Sequence, residues 1–259
     1  LLDIHYSDSW ADPGQQKKPA AWADLPFAQL ERQVHDYSCD VLVHLRKNGA
    51  MPNIVQVGNE IKNGLLFGNG LHNSGPRPGG GFRENDKGGT LRAVQLLAAG
   101  AKGAREGSLP APTKIMLHIP DGQDTGFVKW FFSQLETTAR GATSAIALDY
   151  DIIGLSYYPA DPWDRKAGYN AWHLSHLVDS MNHLATTYKK PIMVVETNWP
   201  RTGEVQKIPG VPEFPILLEG QAAILCGSSF CYPRCAARSR CGRFGVGADR
   251  HVELEFPIR

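Results

Sequence analysis

The sequence lacks any run of 18 consecutive apolar residues, so no segment reads as a membrane-spanning helix. It also lacks an excess of charge of either sign. Lys+Arg number 27 against 26 Asp+Glu, a formal net charge of +1, and no global positive field draws the chain to a nucleic acid. The Arg/Gly/Ser-rich stretch near the end, Cys235 to Gly245, lacks the interleaved aromatics of a base-stacking platform and reads as a loose tail. Nucleotide chemistry has no fingerprint either: no Gly-x-Gly-x-x-Gly follows the first strand, and no Gly-x-x-x-x-Gly-Lys-Ser/Thr occurs. A Gly-x-Ser-x-Gly elbow and a His-Glu-x-x-His helix are missing too, which removes the commonest serine and zinc hydrolases. Cysteine is scarce and lopsided. Cys39 stands alone, while Cys226, Cys231, Cys235 and Cys241 crowd the tail at intervals unlike the paired spacing of a structural zinc site. The first residue is Leu1, with no basic region and apolar core of a signal peptide behind it, so a removed leader or a missing domain start is expected.

What is present is an ordinary globular composition, 42% apolar and 20% charged, long enough for one large domain. Short β-branched runs alternate with helical periodicities. Strands are expected at Leu1–His5, Asn53–Glu60, Thr113–Ile119, Asp151–Tyr157 and Pro191–Thr197. Helices are expected from Pro26 to Gly49, Thr90 to Lys102, Asp124 to Arg140, Asn170 to Tyr188 and Phe214 to about Ser228. Asp24 is the candidate cap of the first helix, and Gly49 stands where a left-handed residue would end it. Gly79-Gly80-Gly81 reads as part of a flexible surface loop. Near-continuous Ile/Val/Leu strands indicate a parallel sheet covered by helices, either a doubly wound sheet or a (β/α)8 barrel.

Several strands end in polar residues immediately before a loop: Asp3 and His5, Asn59 and Glu60, His118, Tyr157, Glu196. A carboxylate in a strand of a parallel sheet sits close to the driest place in the fold, so two Glu residues at matching strand ends point to chemistry. All strand C-termini of a parallel sheet share one rim, which brings Glu60 and Glu196 to the same side. Two carboxylates on a ring-rich rim suit glycosidic bond cleavage, one giving a proton to the leaving oxygen and one attacking or activating water. Aromatic faces there can stack on sugar rings. No cofactor and no metal are called for.

Four strings carry a resemblance: His5-Tyr-Ser-Asp8 with Trp10-Ala-Asp-Pro-Gly14, Val55-Gln-Val-Gly-Asn-Glu-Ile61, Asp151-Ile-Ile-Gly-Leu-Ser-Tyr-Tyr-Pro159 and Val194-Val-Glu-Thr-Asn-Trp-Pro200. Together they resemble the strand-end motifs of glycoside hydrolase family 53, the arabinogalactan endo-β-1,4-galactanases. The resemblance implies an α/β fold, a (β/α)8 barrel, here incomplete because strands one, two and eight are not recognisable. It implies a catalytic domain over 1–225, with 226–259 an atypical Arg/Cys/Gly-rich tail. It implies retaining endo-hydrolysis of β-1,4-galactan or arabinogalactan, outside the cell, with Glu60 as acid/base and Glu196 as nucleophile. Asn59, His5, Asp8, Trp10, His118, Tyr157 and Trp199 are then the expected substrate contacts, Asn59 toward the sugar 2-hydroxyl and Tyr157 also toward Glu196. Two other readings stay open at this point. One is a different retaining barrel glycosidase, a β-mannanase or β-glucanase; the other is a carbohydrate-binding chain without turnover, using Trp10, Trp163 and Trp199. The oligomeric state is not fixed by the sequence.

Overall fold

The computed structural model describes residues 1–67, 79–82, 87–142, 146–158 and 174–198. Along the chain run β1 (Leu2–Ile4), α1 (Phe27–Lys47), β2 (Ile54–Val57), the short pair β3 (Gly64–Leu65) and β4 (Gly80–Gly81), α2 (Lys87–Ser108), β5 (Lys114–Ile119), α3 (Thr125–Gly141), β6 (Ile152–Tyr157), α4 (Leu174–Tyr188) and β7 (Ile192–Thr197). The expected helix at 214–228, the rings Trp163 and Trp199, the four clustered cysteines and the tail lie outside the described residues.

The five longer-range strands form one parallel sheet in the order β1-β2-β5-β6-β7. That order decides between the two architectures. A doubly wound sheet reverses its strand order at a switch point, and its helices divide between both faces. Here the order never reverses, and residues of all four helices join one outer core: Leu30, Val34 and Leu42 of α1, Val94 and Leu97 of α2, Phe131 and Leu135 of α3, Leu177 and Leu184 of α4, against Val55, Val57, Ile115, Leu117, Ile153 and Leu155. Among the described residues, the apolar cluster on the opposite face is made of strand residues, Ile54, Met116 and Ile152 with Met193 and Val195 beside them. One face for helices and one for strand side chains alone is the wall of a (β/α)8 barrel, of which these are successive units. Register sets the inner rows: Asp3 lies beside Gln56, Gln56 beside Met116, and Met116 beside Ile152.

Local details explain the element ends. Asp24 does not hold the cap position of α1: Pro26 does, and it offers no side-chain hydrogen bond to the first turn. Gly49 does end the helix, with φ +68, and the Ala50 N–H returns to the Leu45 carbonyl at 2.9 Å, a Schellman closure. On α2, Gly103 and Gly107 let α1 approach at backbone distance, since a Cβ on Gly103 would stand 2.1 Å from the His35 carbonyl oxygen.

The glycine run is not a flexible loop. Gly80 and Gly81 pair antiparallel with Leu65 and Gly64, and Gly79 to Gly81 are buried. A Cβ on Gly80 would lie 2.4 Å from Ala93 Cα, so this strand exists because nothing larger than hydrogen fits against α2.

Candidate active site

The site begins where β2 runs out. After Val57 the chain turns through Gly58 at φ +81, and Glu60 itself takes a left-handed conformation, φ +44 and ψ +51. A non-glycine residue there costs on the order of 1–2 kcal/mol, so its neighbours must hold it. They do. The Glu60 N–H donates to His118 Nδ1 at 3.4 Å, and the Gln16 amide donates to the Asn59 carbonyl at 2.6 Å. The Asn59 amide donates to the Trp10 and Ala11 carbonyls at 3.2 and 3.4 Å, while its Oδ1 accepts from Gln56 at 3.3 Å. The loop bearing Trp10, whose ring is 86% exposed, is thereby strapped to the residue next to Glu60.

Glu196 arrives from the far side of the sheet. Between β6 and β7 the register slips: Leu155 lies beside Val194, but Ser156 lies beside Glu196, so β7 carries one residue more than its partner. This β-bulge re-aims the strand end. Val195 packs into the inner cluster with Met193, and Glu196 follows on the same side instead of alternating away. The Tyr158 hydroxyl donates to Glu196 Oε2, and Glu196 Oε1 lies 3.8 Å from His118 Nδ1. The Ser156 hydroxyl donates to Glu60 Oε1 at 2.9 Å, and His118 Nε2 lies 2.8 Å from Ser156 Oγ. The two carboxylates therefore share one hydrogen-bonded cluster on one rim, although 136 positions separate them in the chain.

Their environments differ. Burial pushes the Glu60 carboxyl up to about 7; the charges of Glu196, Asp121 and Asp12 add to this and the Ser156 hydrogen bond opposes it. Burial, with the Glu196 carboxylate close by, also drives the Tyr158 hydroxyl well above the ordinary tyrosine value, so it remains a donor. His118, wholly buried, is held down to about 3 by desolvation and by His5, and it is neutral at any working pH. Asp3 is raised to about 6, chiefly by burial; His5, 3.0 Å away, opposes the shift and Glu196 reinforces it. Beside the rim, Lys62 pairs with Asp121 and lies 4.8 Å over the Phe127 ring, which fixes the turn after Glu60 against α3.

Of the residues singled out in the sequence, Glu60, Glu196, Asn59 and Trp10 converge. His5 stands at the end of β1 paired with Asp3. Asp8 is exposed and accepts from the Ala20 N–H at 2.8 Å, capping the turn Ala20–Trp22, which is a structural task. Two expectations need correction. His118 has no exposed surface to offer a ligand; it meets Glu60 through the Glu60 backbone N–H and through Ser156. Tyr157 faces the outer core with Ile153 and Leu155, and the residue at Glu196 is Tyr158. Strand alternation is the reason: Ser156 and Tyr158 share a face, and Tyr157 has the opposite one. Trp199 lies outside the described residues. Sequence reasoning also passed over Ser156, Gln56 and Gln16. For the first two, a polar residue inside an apolar strand run was a usable signal; Gln16, in a loop, gave none.

A strand-end pair of carboxylates, each with its own hydroxyl donor, invites comparison with known proteins. The sequence model of glycosyl hydrolase family 53 matches residues 1–226. This chain belongs to that family. Among family relatives, an uncharacterised protein of Niallia circulans is 38% identical over 236 residues, covering 87% of this chain and 57% of its own length. A probable arabinogalactan endo-β-1,4-galactanase A of Aspergillus terreus is 35% identical over 228 residues, covering 86% of this chain and 58% of its own. A solved fungal β-1,4-galactanase superposes with a TM-score of 0.71 at 32% identity, covering 89% of this chain and 62% of that one. The family 53 catalytic domain of Ignisphaera aggregans gives a TM-score of 0.67 at 26% identity over 89% of this chain and 57% of that one. The chain spans somewhat over half the length of these relatives.

Proposed function

We propose that this chain carries the machinery for retaining endo-hydrolysis of β-1,4-galactosidic linkages, with Glu60 as acid/base and Glu196 as nucleophile. The observation that carries the reading is the unequal company of the two carboxyls. Glu60 keeps its proton up to about pH 7 in a half-buried setting, whereas Glu196 receives the Tyr158 hydroxyl. A proton held near neutrality is what a leaving oxygen needs, and an oxygen steadied by a donor is placed to attack the anomeric carbon. Formation of the glycosyl intermediate would remove the Glu196 charge that helps raise Glu60, so Glu60 would lose its proton more readily and serve as base toward water. The names of the fungal relatives support galactan, in the form of arabinogalactan, as the polymer. Trp10, exposed and bound to Asn59 through its backbone carbonyl, offers a ring that suits a sugar face. The extracellular location, and the division into a catalytic unit over 1–225 and a tail over 226–259, belong to the same proposal.

Substitution separates the two roles. Glu196→Gln should bring β-1,4-galactan turnover to background, because the amide keeps the shape and removes the nucleophile. Glu60→Gln should slow galactan about 100-fold or more, yet spare the first step for aryl galactosides with an activated leaving group. Added azide should then be captured by Glu60→Gln as a galactosyl azide of retained configuration. Equal losses on both substrate types without an azide product would remove Glu60 from the acid/base role. In the parent chain kcat/KM should fall as pH rises through about 7, where Glu60 loses its proton.

A further inference from the structure

We propose that His118 and Ser156 form a hydrogen-bond relay that selects which oxygen of Glu60 carries the acid proton. The inference rests on the reading of Glu60 as the acid and extends it to two residues that touch no substrate.

The relay follows from counting donors. Two N–H groups aim at His118 Nδ1, the backbone N–H of Glu60 at 3.4 Å and the Gln56 amide at 3.1 Å. The Asn59 Oδ1 also lies 3.1 Å from Nδ1, but accepting there would need a proton on Nδ1, which the Glu60 N–H directed at the same nitrogen opposes. The Ser156 hydroxyl has a single proton, and it is directed at Glu60 Oε1. Ser156 Oγ must then accept from His118 Nε2 across their 2.8 Å contact. The network assigns His118 as the neutral tautomer with its proton on Nε2 and a bare Nδ1. Its complete burial keeps a second proton off.

The consequence reaches both ends of Glu60. Through Nδ1, His118 holds the backbone N–H of a residue in the left-handed region; through Nε2 and Ser156, it holds the carboxyl. Because Oε1 is occupied as an acceptor, the transferable proton stays on Oε2. A carboxyl free to flip would present its proton on either oxygen; this one presents a single oxygen. The charged groups around the relay are few. Glu60 is faced by Glu196 from β7, by Asp121 after β5 and by Asp12 from the Trp10 loop, with Lys62 bound to Asp121. His118 is faced by His5 and Glu196, and Asp3 pairs with that His5. None of these charged groups hydrogen-bonds Ser156 among the described residues; the Tyr158 hydroxyl also stands against Ser156 and Glu60 and keeps its proton, so removing the Ser156 hydroxyl alters the link itself.

The test is made by nuclear magnetic resonance on the full chain, with 15N-labelled histidine and 13C-labelled glutamate carboxyls, Glu60 being assigned by its loss in Glu60→Gln. His118 should show a protonated Nε2 and an unprotonated Nδ1 from about pH 5 to 8. In Ser156→Ala the Glu60 midpoint should move upward by about half a unit to one unit, since the hydroxyl favours the ionised form. Ser156→Thr, which keeps a hydroxyl, should leave it within error of the parent. A Glu60 midpoint that is unchanged or lower in Ser156→Ala, or a proton on His118 Nδ1, overturns the relay. A residue that merely packed would alter stability and leave the midpoint alone. The titration needs no turnover, so failure of the parent chain to cleave galactan would count against the proposed function and not against this result.

Discussion

Tyr157 and Tyr158 are adjacent and chemically identical, yet one ring belongs to the outer core and the other meets Glu196. Their substitution should therefore differ in kind. Tyr158→Phe removes a donor from a carboxylate, worth about 1.5–3 kcal/mol, so kcat on galactan should fall roughly 10- to 100-fold with the melting temperature little changed. Tyr157→Phe should change kcat far less. Steady-state kinetics beside thermal melts of both variants distinguishes the two, and equal kinetic losses would contradict the assignment. The site was half legible at this scale. Glu60 and Glu196 announced themselves as charges ending β-branched runs. Tyr158 lies one residue past the end of β6, where alternation places it with Ser156, whereas Ile153, Leu155 and Tyr157 share a parity that is plainly apolar. Asp8 lay in a motif of the right order, but its carboxylate caps a turn. Ser156 and Gln56 stand out as polar residues inside apolar strand runs, but their common partner, His118, leaves no trace in a linear pattern.

Among elements, α1 and α2 approach closely because glycines of α2 replace side chains by backbone. Gly103→Ala would drive a methyl group to 2.1 Å from the His35 carbonyl, and the helices would have to part. A loss of about 1–3 kcal/mol is expected in urea titrations. Gly141→Ala is the matched control at the end of α3, where a methyl meets nothing within 4 Å; it should be neutral or stabilise by up to about 1 kcal/mol. If both variants gain stability alike, helix propensity and not contact governs α2. The elements themselves were the most legible part of the sequence. Each of the five strands appears within a few residues of its β-branched run, and α1, α2 and α3 follow their apolar spacing. The β3–β4 pair was missed because glycine carries no β-propensity. What makes it a strand is the nearness of Ala93, a tertiary fact. The order of strands, which excludes the doubly wound sheet, is likewise a property of packing that alternation alone leaves open.

Taken whole, the molecule holds groups whose titration pulls stability in opposite directions. Glu60 and Asp3 are raised, to about 7 and about 6, so their folded forms hold protons that the unfolded chain releases near 4.5 and 3.8. Their contribution is full below the unfolded values and is lost as pH rises through the folded ones. His118 is depressed to about 3 from 6.5, and its contribution is lost as pH falls through that interval. The difference between the parent and Glu60→Gln isolates the first effect. The variant should gain on the parent between about pH 4.5 and 7, by on the order of 1–2 kcal/mol once solvent screening of a partly exposed carboxyl is allowed for. Urea midpoints at a series of pH values measure this, and parallel curves would mean that Glu60 is not raised in the fold. The half-buried carboxyl at the end of β2 thus makes unfolding a release of acid. Melted near pH 6 in a calorimeter, where His118 takes up a proton in both chains, the parent should release more acid than Glu60→Gln, and the gap between their apparent heats should change with the ionisation enthalpy of the buffer.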